Sequence, residues 1–525
     1  MKNEGKSVFW SYVIVGIALV GGIIMAGCIS SPEEGSKQEL MVGISTDVDN
    51  WYLDNFPYGD ARFVWSQVYE TLVRLDTDLK IQPGLAESWK TPDDGKTWIF
   101  HLRKGIKFHD GTPFNSTAVV FSYSNKSYGR KSSLRTLDYV EALDEYSVKF
   151  VLKRPMPLPF YLTHVAWPIM SPTCVDEKGE FIKPIGTGPF KFVNQIKDLE
   201  IVLVRNDDYW GEKPTLEKVI FKVIPEATTR VMALETKEVD MIIKVPEFEV
   251  PRLEREVDIR VYRKLTTFTD YLKFNCKREP FNDPDVRKAV AYALDTEKMV
   301  KTVLNDVGIA ARGRPYSPIM LYSKPDLKLY ECDTEKAKGL LLKSGWRDTD
   351  GDGVLDKDGK PLKVTLLVER GAWSPRHTPM SEAIQGALRE IGMDVKILLL
   401  ERGALLKVLR EGKFDMRLYS GCYVWGPYPR HFFTHHSNAT KGLCSSQYEN
   451  TEYNKLVDLA DMTVNPKDQE KLYYKLQEWV VREVPAFYLV HEEKIVAANS
   501  YVKGYNITAE DPWLNLDGVY LKGKK

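Results

Sequence analysis

Neither sign of charge prevails in this chain: 73 Lys and Arg stand against 73 Asp and Glu, for a formal net charge of zero. A nucleic-acid binder would show a basic excess or a basic face, so that class drops out. Cysteine is scarce, six residues in 525. There is no CxxC pair and no HExxH, so zinc-site spacing is absent. No GxSxG elbow, Walker loop or dinucleotide fingerprint occurs, and no histidine and carboxylate stand at a spacing that demands an acid–base pair. The chain reads as a non-enzyme. Only one long apolar run exists, so no second membrane span is expected. No internal repeat is present. What remains is a globular composition, 43% hydrophobic and 11% aromatic, in a chain too long for one core.

The apolar run, Val8 to Met25, follows Lys2 and Lys6 and is closed by Ala26-Gly27-Cys28. A charged start, an apolar centre and small residues before a cut describe an export signal over 1–27. Small residues directly before Cys28 resemble the lipobox of prokaryotic lipoproteins. That resemblance implies a lipidated Cys28, a flexible tether over 28–39 and a body anchored to the outer face of the cell membrane; an uncleaved anchor is the other reading. Outside the cytoplasm cysteines tend to pair. Cys422 and Cys444 bracket one loop and are the expected disulfide, while the odd count leaves at least one thiol free.

Strands and helices alternate from about Lys183, which predicts an α/β body. Strands are expected at Leu40–Ser45, Thr97–Leu102, Ser147–Leu152, Leu216–Val223, Met241–Val245, Leu272–Asn275, Lys363–Glu369, Val395–Leu400 and Phe414–Ser420. Helices are expected at Ala61–Leu72, Val119–Tyr128, Thr228–Lys237, Asp285–Leu294, Cys332–Ser344, Ser381–Ile391 and Glu452–Met462. Gly186 and Gly188 suggest a tight turn beside Pro189. Asp348, Asp350 and Asp352 in DTDGDG have the spacing of a calcium loop. Gly359 stands where its bidentate Glu should be, so a polar turn is the expectation there.

The stretch Gly421–Tyr448 concentrates aromatic faces, three His and one Arg on a loop, which is what a small-molecule site needs. Trp425, Tyr428, Arg430 and His431 are the ligand candidates, with His431, His435 and His436 as potential metal ligands. Trp51 and Tyr52, on the loop after the first strand, are candidate walls of the same site.

LAESWKTPDDGKTWIFHLRKGIKFHDGTPFNSTAVVFSY at Leu85–Tyr123 resembles the signature of extracellular solute-binding proteins of family 5, the peptide and nickel receptors of ABC importers. Ile185–Phe190 (IGTGPF), Pro280–Val290 and Glu483–Tyr488 agree in order, so the resemblance spans roughly Leu40 to Leu521. It implies a two-lobed periplasmic-binding-protein-like fold with a hinge. Lobe I would cover 40–273 with a small domain inserted near 75–168, lobe II would cover 274–482, and 483–525 would return to lobe I. It implies a monomeric carrier that delivers its solute to a permease; a sensor or adhesin-like lipoprotein on the same fold is the alternative. His109 belongs to a turn shared by the family and reads as structural. In peptide receptors the loop matching Trp425–His431 carries an aspartate for the peptide amino terminus, and this chain has none there. The run is similar to the nickel-receptor form, which implies nickel as a transported chelate, with Arg430, Arg130 or Arg135 holding chelator carboxylates.

Overall fold

The computed structural model describes residues 37–52, 59–123, 136–165, 167–370, 375–421, 446–509 and 514–524. One 11-stranded sheet runs through the molecule. At its centre lie two long antiparallel strands, Ile259–Phe274 and Ala486–Asn499. On one side follow Met241–Ile243, Glu39–Ile44, Lys218–Val223, Glu200–Arg205 and Phe190–Ile196; on the other, Met416–Gly421, Lys363–Glu369 and Asp394–Leu400; the short strand Ile309–Ala310 pairs with Ala486–Asn499 off this path. The strand Glu39–Ile44 is parallel to both its neighbours, and Leu40, Val42 and Ile44 are fully buried, as a covered parallel strand requires. Each wing has its own apolar core. One gathers Phe63, Trp65, Val219 and Phe221; the other gathers Leu272, Val290, Leu366 and Ile384. Two cores joined by two crossing strands make the two-lobed α/β body that the sequence predicts.

The crossing strands are longer than expected. Leu272–Asn275 is only the end of a 16-residue strand. Its first half carries Arg260, Arg263 and Lys264 and stays partly open to solvent, so no apolar pattern betrays it. The pairing slips between Leu265 and Thr269, and a bulge there separates the lobe I half from the lobe II half.

A separate four-stranded sheet, in the order Ala86–Lys90, Thr97–Leu102, Ser147–Leu152, Leu137–Asp144, packs its inner face into the lobe I core. Gly95, Gly105 and Gly111 take positive φ at the turns read from sequence. In lobe II, Asp283 caps the helix Pro284–Ala293 by accepting from Asp285 N–H, and Asp333 caps Thr334–Lys343 in the same way.

The first helix ends at Val68, four residues before the predicted Leu72. Its last carbonyls meet the IGTGPF segment: Gly188 N–H donates to Val68 O at 3.0 Å. Neither Gly186 nor Gly188 has a positive φ, so the reason for glycine is close approach and not turn geometry. A Cβ on Gly186 would lie 2.0 Å from Val68 O, and one on Gly188 would lie 2.5 Å from Gln67 O. His109 pins the same segment and is structural, as predicted. Its Nδ1 accepts from Gly186 N–H at 3.3 Å, which leaves Nε2–H to donate to Gly188 O at 2.9 Å. Burial pushes its pKa down to about 4. Glu70 completes the anchor by accepting from Thr187 Oγ1 at 2.8 Å, Tyr209 OH at 2.9 Å and Trp210 Nε1 at 2.7 Å. Glu70→Ala leaves these three donors without an acceptor and is expected to cost about 1–3 kcal/mol, read from the urea midpoint; an unchanged midpoint would refute the anchor.

The calcium reading of Asp348, Asp350 and Asp352 finds no support. The carboxylates that approach one another are those of Asp348, Asp350 and Asp356, with the first two exposed. Asp348 accepts from Gly351 and Gly353 N–H, and Asp352 from Val354 N–H, as in a polar turn.

Candidate functional site

A cavity of about 370 Å³ opens where the two lobes and the crossing strands meet. Lobe I contributes Arg62 and Phe63 from the helix Ala61–Val68, Arg230 from the helix Ala227–Glu235, and Lys244 to Glu247 from the segment after the strand Met241–Ile243. The crossing strands contribute Thr266 and Phe268 at the bulge, and Glu492 to Ile495 opposite them. Lobe II contributes Pro375 and Arg376 at the start of the helix His377–Arg389, and Ser420 from the strand Met416–Gly421.

Charge is arranged in two groups around this space. The lobe II guanidinium of Arg376 serves three carboxylates, Glu247 of lobe I and Asp270 and Glu492 of the crossing strands. Its Nη2 bonds Glu492, its Nη1 lies 3.4 Å from Glu247 Oε1, and its Nε lies 3.6 Å from Asp270 Oδ2. Ser420 Oγ donates to Glu492 Oε1, and His377 Nε2 lies 2.8 Å from Asp270 Oδ1. Burial pushes the Glu492 carboxyl up to about 7 and the Asp270 carboxyl up to about 6, although Arg376 opposes both shifts. Burial, followed by the nearby Arg376 charge, pushes His377 down to about 3, so it is neutral and donates Nε2–H to Asp270. Burial works against the charge of Arg376 as well, but Glu492, Asp270 and Glu247 outweigh it and keep the guanidinium protonated.

Lobe I brings the cations Arg62, Arg230 and Lys244 to the wall, beside the carboxylates Glu226 and Glu247. Lys244 Nζ pairs with the fully buried Asp60 Oδ1 at 2.7 Å. Burial disfavours the Asp60 charge, yet Lys244 and the Ser45 donors hold its pKa below the usual carboxylate value. Lys244 has φ +57°, a left-handed conformation for a residue with a side chain, at the cavity edge. Arg230 directs Nη1 to Ile224 O at 2.8 Å and Pro225 O at 2.9 Å, and makes no ion pair among the described residues.

Of the residues singled out from sequence, Trp425, Tyr428, Arg430, His431, His435, His436, Cys422, Cys444, Arg130, Arg135 and Cys28 lie outside the described residues. Ser420 and Gly421, which lead directly into 422–445, stand at the cavity and on the adjoining strand end. Trp51 is placed elsewhere: it is 7% exposed, packs edge-on against Phe192 with centroids 5.0 Å apart, and donates Nε1–H to Gln195 Oε1 at 2.8 Å. Tyr52 meets Phe181 at 5.4 Å, and neither residue lines the cavity. Asp47 accepts from Gln195 Nε2 and from the backbone N–H of Val48 and Asp198, a structural role. Sequence reasoning missed Glu492, Asp270, Glu247, Arg376 and Arg230. For Asp270 a signal existed, a lone carboxylate between Phe268 and Tyr271-Leu272 in TFTDYLKF, whereas Glu492 is masked in YLVHEEKIV by its polar neighbours His491, Glu493 and Lys494.

Comparison with protein families matches residues 80–442 to the bacterial extracellular solute-binding proteins, family 5 (middle region). The chain belongs to that family. Among curated family 5 relatives, it is 30% identical over 519 residues to the oligopeptide-binding protein AppA of Bacillus subtilis, covering 95% of this chain and 92% of that one. It is 32% identical over 389 residues to the nickel-binding periplasmic protein of Escherichia coli, covering 71% and 72%. Its fold is similar to that of NikA from Brucella suis in complex with Fe(III)-EDTA, with a TM-score of 0.84, 26% identity, and coverage of 92% of this chain and all of that one. The family 5 relatives are binding proteins and not enzymes. No helix among the described residues is long and apolar enough to cross a membrane.

Proposed function

We propose that this protein is an extracytoplasmic solute-binding lipoprotein of an ABC importer. It captures a peptide or nickel chelate between its lobes and delivers it to the permease. The observation that carries this reading is the cavity of about 370 Å³ at the crossing strands, lined from both lobes by charges of both signs. Its size falls in the range of small-molecule sites, roughly 300–1,000 Å³. The crossing strands are the natural hinge, so a solute bridging Arg230 and Arg376 would favour the closed arrangement of the lobes. The relatives' names support the two solute classes. Cys28 would hold the mature chain at the membrane, the body being lobe I over 40–273, lobe II over 274–482 and the return segment from 483. Trp425, Tyr428, Arg430 and His431 would contact the solute, with a Cys422–Cys444 disulfide limiting the freedom of the loop that carries them.

The test is native mass spectrometry with metal analysis on full-length protein purified in detergent without chelators. One bound small molecule per chain is expected, together with a lipid mass that Cys28→Ser removes. Nickel with a small organic acid, lost in His431→Ala, would assign the chelate class; a series of peptide masses without metal would assign the peptide class. Protein that carries neither, and that binds neither when offered, would end the importer reading.

A further inference from the structure

The lobes meet again at residues that neither line the cavity nor belong to the crossing strands. On the lobe I side stands the four-stranded sheet. Arg154 follows its strand Ser147–Leu152, and Gly95 lies in the turn that leads into Thr97–Leu102. Met156 N–H donates to Gly95 O at 3.1 Å, and Trp98 Nε1–H is shared between Gly95 O at 3.1 Å and Met156 O at 2.9 Å. These bonds hold Gly95 and the segment 154–156 as one surface. On the lobe II side, the helices Thr451–Met462 and Pro466–Glu483 build an apolar core from Tyr453, Val457 and Tyr473 with Tyr271 and Tyr488 of the crossing strands. Asp461 lies in the last turn of the first of these helices and Val464 in the corner between them. Asn465 fixes that corner by accepting from Lys467 and Asp468 N–H.

Two contacts cross between these surfaces. Arg154 Nη2 pairs with the carboxylate of Asp461, which is fully buried while the arginine side chain is 25% exposed. Val464 packs against the lobe I core and is seated on Gly95, where a Cβ would lie only 2.3 Å from Val464 Cγ2. No backbone hydrogen bond among the described residues crosses here. The two surfaces can therefore part and meet again without breaking either lobe.

We propose that Arg154, Asp461 and Val464 form a clasp that biases the lobes towards closure before any solute arrives. The proposal rests on the lobes moving about the crossing strands, and not on which solute fills the cavity. One ion pair at a partly open edge and one valine side chain are enough to tilt such an equilibrium but too little to lock it. Whatever favours the closed form in the empty protein reduces the closure that the solute must drive, so the clasp tunes affinity from outside the cavity.

Pulsed electron paramagnetic resonance tests this on full-length protein in detergent, freed of co-purified solute by unfolding and refolding. Nitroxides carried on keto amino acids at the exposed positions Lys107 and Lys338 place one label on each lobe. A closed and an open population are expected. Arg154→Ala should lower the closed-to-open ratio about 5-fold, the upper range for a partly exposed ion pair. Val464→Ala, at a partly buried corner with little risk to folding, should lower it about 3-fold. Arg154→Lys keeps the charge and should restore most of the ratio. With Asp461→Asn already in place, Arg154→Ala should change it little further. An arginine that served folding alone would lower the urea midpoint and leave this ratio untouched. Two populations whose ratio none of the variants moves overturn the clasp and leave the hinge standing. A single distance in every protein means that the lobes do not part, and overturns the clasp together with the closure it serves.

Discussion

Arg376→Ala is expected to destabilise the protein by about 3–5 kcal/mol at pH 8, the usual cost of removing one partner from buried ion pairs. The loss should be smaller at pH 5. The substitution strands Glu247, Asp270 and Glu492 without their cation. In the intact protein the folded pKa of Glu492 is already raised to about 7 and that of Asp270 to about 6. A carboxyl raised on folding contributes stability below its unfolded value, and that contribution disappears as pH rises through the folded value. Without Arg376 both folded values climb further, so the penalty grows between pH 5 and pH 8 as the protons leave. The buried histidines His109, His377 and His491, depressed to about 4, 3 and 3, act oppositely and lose stability as pH falls below the ordinary histidine value. His109 and His491 are present alike in both proteins and cancel in the comparison. His377, whose depression Arg376 assists, would be relieved in the variant and so adds to the easing at low pH. Urea midpoints at the two pH values decide the matter. Equal losses at both would mean that packing of the arginine stem, and not its charge, holds the cluster. Adding Glu492→Gln to Arg376→Ala should recover part of the stability at pH 8.

Gly186→Ala should be nearly as damaging, at about 3 kcal/mol, the upper end for overpacking a filled interior. The new methyl group would lie 2.0 Å from Val68 O and 2.8 Å from both Val68 C and Tyr69 Cδ1. Relief requires the IGTGPF segment to back away from the first helix. That motion strains the Gly188–Val68 and His109–Gly188 hydrogen bonds together. Since this helix also carries Arg62 and Phe63 into the cavity, weaker solute binding should accompany the lower urea midpoint. A variant of normal stability would show that the backbone there has slack.

The fold was legible where local signals agree with tertiary use. Lys363–Glu369 is a strand with the predicted bounds, because an apolar alternation between polar ends fits a strand covered by Leu388 and Ile384. Asp283 and Asp333 cap the helices that their positions announce. The first helix was overextended because Leu72 continues its apolar spacing; the intruding glycine segment, remote in sequence, ends it. The cavity was less legible for a related reason. Asp270 and Glu492 become neighbours only through the register of two long strands, with Asp270 opposite Val490, and a bulge sets that register. Arg376 joins them from a third segment. Composition shows buried carboxylates as oddities but cannot show which cation they will share.

The crossing strands have a mechanical consequence. Because Ile259–Phe274 and Ala486–Asn499 are paired along most of their length, the lobes are joined by a ladder and not by free linkers. Bending would concentrate where the ladder slips, between Leu265 and Thr269 and again between Asp270 and Tyr271, and the first of these slips is also the cavity floor at Thr266 and Phe268. An occupant therefore sits on the weakest rungs of its own hinge. Amide exchange there should slow when the cavity fills, while exchange at the ladder ends near Ile259 and Ala486 stays the same.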